Sequence, residues 1–165
     1  MSGQNSGKKE EFVKWNNSYS MGIKLIDDQH KELLDIVNDL FNHSTGNETD
    51  ELAYFKEVIG KAVNYTKVHF ATEEKIMLAT KFPEYNEHKK AHEEFIIKVV
   101  TTAKDFDAGK RLVLSNFSNF LKDWILSHIA IIDTKYSKYF KEIATRKDDG
   151  KLSINAEDIE RIMAL

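Results

Sequence analysis

Two pairs of metal-type side chains, each with a spacing of four residues, lie on either side of the only proline in the chain, Pro83. The pairs are His69 with Glu73 and His88 with His92. Residues four apart lie on the same face of an α-helix, so each pair can direct two ligands at one point. A helix, a reversal at the proline and a second helix would bring the pairs face to face. The spacing alone fits a chance arrangement, a zinc site or a larger metal centre.

Four helical segments are available to position these pairs. Apolar residues recur at steps of three and four along the chain without sustained strict alternation, which predicts an all-α fold. The predicted helices run from about Asp27, from the capping residues 47–50 to about Thr80, from just after Pro83 to 107–109, and from about Leu112 to about Thr145. Their short connections predict an up-down-up-down four-helix bundle.

Further ligand-type side chains fall at the same level of the predicted bundle. His30 lies near the start of the first helix on its apolar stripe, and His128 lies in the second half of the fourth. Because neighbouring helices run in opposite directions, these histidines and the two pairs converge on one layer toward one end of the core. Asp133 follows His128 by five residues, a step that rotates it well away from the histidine. It would have to reach sideways to join the same centre.

Seven ligand-type residues in one buried layer indicate metal binding rather than packing. A single histidine on an apolar face is usually a satisfied core residue. Five histidines with two carboxylates are different, because each buried polar group without a partner costs roughly 1–3 kcal/mol. Seven ligands are too many for one tetrahedral zinc and suit two six-coordinate ions with bridging carboxylates. Imidazole with carboxylate favours iron over calcium or magnesium, and with one bridging oxo or hydroxo oxygen a coordination position stays open.

Composition excludes several other classes of function. The chain has 165 residues, enough for one domain with its own core, and no cysteine, which excludes disulfides, thiolate zinc sites and cysteine nucleophiles. A net charge of −3 with both signs scattered gives no basic surface for nucleic acid. The longest apolar stretch, 124–132, is too short to span a membrane, and the start does not resemble a signal peptide. We expect a cytoplasmic protein with no nucleic-acid or membrane partner.

The two ends of the chain differ in character from the bundle. Residues 1–11 are polar and predict a flexible lead, whereas 12–145 form the predicted domain and begin with an arm whose aromatic residues pack on the helices. Residues 146–165 predict a linker followed by a short amphipathic helix. A helix this short is not stable alone. We expect it to dock on the domain, on a second copy of the chain or on a partner protein.

A set of motifs spread over residues 12–140 matches a known family pattern. The motifs are Trp15, Tyr19, the segment Gly22-Ile-Lys-Leu-Ile-Asp-Asp-Gln-His30-Lys, His69-Phe-Ala-Thr-Glu73-Glu, Pro83 with His88 and His92, and Trp124-Ile-Leu-Ser-His128-Ile-Ala-Ile-Ile-Asp133. In combination they resemble the hemerythrin family, and in particular its bacterial members. The resemblance implies two iron ions bridged by an oxo or hydroxo oxygen and by Glu73 and Asp133. It implies that the other ligands divide into His88, His92 and His128 for one iron and His30 and His69 for the other.

The resemblance also implies an O2 site beside the iron held by two histidines. The family's apolar pocket lining corresponds to Leu33, Phe70, Trp124, Ile125 and Ile129. Such a lining offers no acid or base near bound O2, which favours reversible binding over cleavage of the O–O bond. The family uses the five-residue step to Asp133 as well. Gln29, beside His30, is interpreted either as a group that supports a ligand or as an exposed helix residue.

The leading hypothesis is therefore a protein that is not an enzyme and binds O2 reversibly, for storage, delivery or scavenging. One alternative is an O2 or redox sensor that signals through the C-terminal helix. Another is a di-iron enzyme acting on a small substrate such as nitric oxide or peroxide. Oxygen-activating di-iron bundles are carboxylate-rich and commonly carry Glu-x-x-His repeats, which this chain lacks at the ligand positions.

Overall fold

A computed structural model describes residues 11–43, 48–110 and 114–145, and within these ranges every regular element is helical. The elements are a 3-10 turn at Asn17–Tyr19, α1 (Lys24–His43), α2 (Glu48–Thr80), α3 (Tyr85–Asp107), α4 (Leu114–Ser127), a π-helical segment (His128–Asp133) and α5 (Thr134–Thr145). The last three run without interruption as the fourth helix of the bundle. The all-α four-helix bundle predicted from the sequence is confirmed.

The helix bounds differ from the prediction mainly at the start of α1. This helix begins at Lys24, about one turn before the predicted start near Asp27. The Asp27 carboxylate reaches back over that first turn and accepts hydrogen bonds from the Met21 amide at 2.7 Å and the Ser20 hydroxyl at 2.6 Å. An acidic residue in the first turn is also favoured by the helix dipole. Asp27 therefore ties the preceding chain to a helix that has already begun.

The π-helical segment was not predicted, since the fourth helix was expected to be regular throughout. A π-turn closes hydrogen bonds five residues apart and so accommodates one more residue than an α-turn. Three of its side chains, His128, Ile129 and Asp133, are buried, whereas Ile131 is 61% exposed. The extra residue changes which positions face the core from here onward.

The core consists of two apolar clusters separated by a polar layer. One cluster includes Leu33, Phe70 and Ile129, and the other includes Ile26, Ile76 and Tyr136. Along α1, α2 and the fourth helix, the residues between these two sets are His30, Glu73 and Asp133, each of them buried. The apolar clusters thus close the polar layer from both sides along the bundle axis.

The predicted arm before α1 is held to the bundle by polar and aromatic contacts. The Asn38 side chain accepts from the Val13 amide and donates to the Val13 carbonyl, both at 2.8 Å. Phe12 stacks on Phe41 with ring centroids 4.0 Å apart. Residues 1–10 of the predicted lead, and the whole of the predicted linker and C-terminal helix at 146–165, lie outside the described residues.

None of the helices in the described part of the chain combines the length and the apolar character that crossing a membrane requires.

Candidate metal centre

All four helices of the bundle contribute to one cluster of histidines and carboxylates. Its members form two groups, and within each group the ligand atoms lie within 4.8 Å of one another. The first group contains Glu73, His88, His92 and His128, and the second contains His30, His69, Glu73 and Asp133. Every member is buried. The structure therefore brings together all seven residues that the sequence singled out, and Glu73 belongs to both groups.

In the first group the imidazole nitrogens point at a common position. The Nε2 atom of His92 lies 3.1 Å from the Nε2 atoms of both His88 and His128. Two imidazole nitrogens at this distance need a proton or a cation between them, because their lone pairs otherwise repel each other. The position that these three nitrogens share is where a metal ion would satisfy all of them.

The two oxygens of Asp133 face opposite halves of the cluster. Its Oδ1 atom lies 3.4 Å from Nε2 of His88 and 3.2 Å from Nε2 of His128, whereas its Oδ2 atom lies 3.3 Å from Nε2 of His30. A carboxylate that presents one oxygen to each of two ligand groups has the arrangement required of a bridge between two ions.

Glu73 likewise faces histidines of both groups. Its Oε2 atom lies 3.3 Å from Nε2 of His92 and 3.4 Å from Nε2 of His88. In the other group, Oε1 lies 3.9 Å from Nε2 of His30 and Oε2 lies 3.7 Å from Nε2 of His69. Like Asp133, Glu73 is therefore placed between the two groups rather than within one.

The π-helical segment explains how Asp133 reaches the centre. In a regular α-helix, five residues correspond to a rotation of about 140°, which would direct Asp133 away from His128. The π-turn spans His128–Asp133 and brings both side chains to the buried face, with 3.2 Å between Nε2 and Oδ1. The expectation that Asp133 must reach sideways was wrong, since the backbone itself turns the residue inward.

Several polar atoms of this layer have no hydrogen-bond partner within the described part of the chain. They are both ring nitrogens of His30, both carboxylate oxygens of Glu73 and of Asp133, and the Nδ1 atoms of His88 and His128. Buried polar groups in proteins are normally paired, and each exception costs roughly 1–3 kcal/mol. Nitrogen and oxygen donors that converge without partners fit metal ions, which would bind the inward-facing atoms together.

Two of the histidines are held in the tautomer that metal binding needs. The Nδ1 atom of His69 lies 3.1 Å from Oε1 of Gln29, and the Nδ1 atom of His92 lies 3.2 Å from Oε1 of Glu74. These oxygens accept hydrogen bonds, so Nδ1 carries the proton and the Nε2 lone pair is directed at the centre. Of the two interpretations of Gln29, the structure favours the one in which it supports a ligand.

Glu74 and Tyr136 were not singled out by sequence reasoning. Glu74 has no distinguishing signal in the sequence beyond its position directly after Glu73. Tyr136 follows Asp133 by three residues, a step that places these two side chains on one helix face. Tyr136 is fully buried in the cluster below the polar layer. Burial and the negative charges of Glu73 and Asp133 raise the pKa of its phenol above the ordinary value of 10.0.

We expect Glu74→Ala to lower the affinity of the protein for iron by about 10–100-fold, the usual effect of removing a group that orients a ligand. The reason is that His92 loses the acceptor that fixes its tautomer. Competition with a coloured chelator measures the affinity. Glu93→Ala, at an exposed position on α3, is the control and should retain native affinity. An unchanged affinity in Glu74→Ala would show that Glu74 does not support the ligand.

The electrostatics of the layer combine neutral and charged groups. Burial lowers the pKa of His69 to about 4. Burial and the charge of Glu73 would raise the pKa of Asp133, but the imidazoles of His128 and His30 lower it to about 2. Burial would likewise raise the pKa of Glu73, yet the surrounding imidazoles of His69, His88 and His92 hold it well below its usual range. Both carboxylates are therefore ionised at neutral pH and available to cations.

For two other histidines the pKa is raised, whereas that of His69 is lowered. Burial would lower the pKa of His30, but the nearby carboxylates of Asp133 and Glu73 outweigh it and raise that pKa above 6.5. For His88, burial is again outweighed, here by Glu73 and then Asp133, so its pKa is raised as well. In the metal-free protein these two side chains therefore hold protons near neutral pH that a metal ion must displace.

Metal binding should release more protons at about pH 7 than at a pH well above the raised pKa values of His30 and His88. The sign follows from the raised pKa values of His30 and His88. At the lower pH these imidazoles are partly protonated and lose their protons when they bind a cation, whereas at the higher pH they are already neutral. A pH-indicator dye in weak buffer measures the release on addition of ferrous ion without air. Equal release at both pH values would contradict the assignment of these residues as ligands.

Apolar and aromatic side chains enclose the cluster. Phe70 stacks on His92 with ring centroids 3.7 Å apart, and Trp124 stacks on His128 at 4.3 Å. Leu33, Ile125 and Ile129 are buried in the same apolar cluster of the core, with Trp124 partly buried against it. All five residues expected to line a pocket thus belong to the apolar shell on one side of the polar layer.

Comparison with known proteins gives a consistent result. The family model described as "Hemerythrin HHE cation binding domain" matches residues 21–140 of this chain. The chain is 35% identical over 122 residues to a bacteriohemerythrin of Pseudomonas aeruginosa, which covers 74% of this chain and 77% of that protein. It is 32% identical over 127 residues to a bacteriohemerythrin of Stenotrophomonas maltophilia, covering 77% of this chain and 80% of the other. A myohemerythrin of Sipunculus nudus is 32% identical over 123 residues, or 74% of this chain and 88% of that one.

Solved structures show the same fold. The crystal structure of a wild-type hemerythrin superposes with a TM-score of 0.68 at 26% identity and covers 77% of this chain and 96% of that chain. A leucine-to-alanine variant of hemerythrin gives a TM-score of 0.70, again at 26% identity. The matched sequence region spans the cluster of histidines and carboxylates together with the helices that position it. The chain belongs to the hemerythrin family.

Proposed function

We propose that this protein holds two iron ions in the buried layer and binds O2 reversibly. The observation that carries the proposal is the pair of ligand groups that share Glu73, rich in imidazole and closed off by apolar side chains. His88, His92 and His128 would hold one iron and His30 and His69 the other. Glu73 and Asp133 would bridge the two ions together with an oxo or hydroxo oxygen. Two ferrous ions, when bound, would supply the two electrons needed for reversible reduction of O2.

The residues of the chain contribute orientation and exclusion of water. Gln29 and Glu74 keep Nε2 of His69 and His92 directed at the centre. The apolar residues expected to surround bound O2 are Leu33, Phe70, Trp124, Ile125 and Ile129. They carry no carboxyl, hydroxyl or amine group. A pocket without an acid or base favours release of O2 intact over cleavage of its O–O bond.

The test is a cycle of oxygenation and deoxygenation of the reduced, iron-loaded protein, followed by visible absorption. A charge-transfer band that appears with O2 and disappears when O2 is removed is the expected result. Irreversible conversion to an oxidised spectrum would favour redox sensing or catalysis instead. Absence of any visible band with iron bound would contradict the proposed centre.

Two further measurements separate carriage of O2 from the alternatives. If the centre acts as a sensor through the C-terminal helix, deleting residues 155–165 should change O2 affinity or the oligomeric state. If it acts as an enzyme, the protein should consume nitric oxide or peroxide over many turnovers in the presence of a reductant, faster than free iron does. We expect neither effect from a protein that carries or stores O2.

A further inference from the structure

A cavity of about 150 Å³ lies directly beside the buried layer, at the end of the bundle where α2 turns into α3. Its walls come from that turn, from the first turn of α3 and from the fourth helix. The lining residues are Phe82, Glu84, Glu87, His88, Ile132 and Lys135. Glu84, Glu87 and Lys135 are exposed, so the cavity is continuous with the surface. His88 belongs to the metal centre, so the cavity and the centre have a residue in common.

His88 lines the cavity and also belongs to the metal centre. Its Nε2 atom faces inward, 3.4 Å from both Oε2 of Glu73 and Oδ1 of Asp133. Its Nδ1 atom, on the other side of the ring, is buried and has no hydrogen-bond partner among the described residues. The corresponding atoms of His69 and His92 are each held by an acceptor. The Nδ1 atoms of His30 and His128 also lack a partner among the described residues, but of these three histidines His88 is the one that lines this solvent-connected cavity.

The outer part of the cavity carries charges suited to a cation. Glu84 and Glu87 place two carboxylates against one lysine at its mouth, so the net charge there is negative, and an excess of negative charge raises the local concentration of cations. Nζ of Lys135 lies 2.7 Å from Oε2 of Glu84, with side chains 56% and 48% exposed. Ion pairs with this exposure are weak and open readily. The lysine can therefore leave Glu84 when a cation arrives.

A second cavity is also lined by acidic residues but does not adjoin the metal centre. It has a volume of about 430 Å³ and lies between the arm, α1 and α2, where it is lined by Glu11, Glu32, Asp35 and Asp39 among others. None of the seven residues of the metal centre lines it. The smaller cavity differs because it combines surface carboxylates with a buried, unpartnered ligand.

We propose that the cavity at His88 is the route by which divalent cations reach the metal centre. Glu84 and Glu87 collect the hydrated cation, Lys135 gives way, and His88 is the first imidazole to bind it before the ring turns back toward Glu73. This inference rests on the proposed metal centre, but it concerns how the centre is filled rather than what it does.

The test measures the rate at which metal-free protein takes up Co²⁺. Trp124, which stacks on His128, reports the arrival of the ion through quenching of its fluorescence, and elemental analysis gives the final number of ions per chain. We expect the double variant Glu84→Gln with Glu87→Gln to take up Co²⁺ roughly 10-fold more slowly, in the range by which steering changes on-rates. Lys135→Met should take it up faster. The final number of ions should be the same in all variants.

The matched control is the double variant Glu93→Gln with Glu94→Gln, which removes the same charge from exposed positions on α3 that do not line the cavity. It should fill at the native rate. Equal slowing in the two double variants would overturn the route and leave the centre intact, since it would reflect net charge only. An unaltered rate in the Glu84 and Glu87 variant would also overturn it. Failure of the native protein to bind Co²⁺ at all would instead refute the proposed centre, and the route with it.

Discussion

Replacing Glu73 with alanine should remove both metal ions from the protein. Among the described residues Glu73 belongs to both ligand groups, and its oxygens face histidines of each. Its loss therefore takes a ligand from each ion at once, where loss of a terminal histidine takes a ligand from one. We expect the iron affinity of both positions to fall by far more than the roughly 10–100-fold caused by removing a supporting group. Iron content after passage over a chelating column measures the effect.

Two further variants test whether the loss of iron is due to the Glu73 carboxylate. Glu73→Gln retains the size of the side chain and one carbonyl oxygen but loses the charge, so it should also lose iron while disturbing packing less. His92→Ala removes a ligand from the first group only and should retain more iron than either Glu73 variant. Far-ultraviolet circular dichroism checks that each variant is helical. If Glu73→Ala retained as much iron as His92→Ala, Glu73 would not be shared between two ions.

Most of the fold could be predicted from the sequence because helical periodicity is a strong local signal. Three local signals located the helices: the stripes of apolar residues, the capping residues at 47–50 and the break at Pro83. The observed bounds of α2 and α3 accordingly lie close to the predicted ones. The start of α1 was misjudged because Asp27 resembles a residue that opens a helix. In the structure its carboxylate contacts Ser20 and Met21, a tertiary arrangement that propensity does not encode.

The cluster of seven residues followed from spacing and topology, but parts of its geometry did not. The prediction assumed a regular helix after His128, and a π-turn has no propensity signature comparable to a stripe of apolar residues. The π-turn becomes evident only from the contacts of Asp133 in the folded core, which the sequence does not show. Glu74 was missed for a related reason. Its role depends on a neighbour in another helix, His92, and its sequence position alone does not distinguish it from an exposed glutamate.

Removing the metal ions should markedly lower the thermal stability of the protein. In the absence of metal the buried layer holds two carboxylates, Glu73 and Asp133, whose oxygens have no hydrogen-bond partner among the described residues and lie only in electrostatic contact with neighbouring imidazoles, 3.2–3.4 Å away. These atoms carry a cost in the folded state only, because in the unfolded chain water satisfies them. A metal ion that binds the folded chain satisfies them and stabilises it by mass action.

The size of this effect can be bounded and its origin tested. At a free concentration 1,000 times its Kd, one ion stabilises the folded state by about 4 kcal/mol. For a chain of this length each kcal/mol corresponds to roughly 2–4 °C in Tm, so calorimetry should show a fall of at least about 8 °C on chelation, reversed by added iron. In Glu73→Ala, added iron should leave Tm almost unchanged. If the variant gained as much as the native chain, the stabilising ions would bind elsewhere, because Glu73 is the side chain that both ligand groups require.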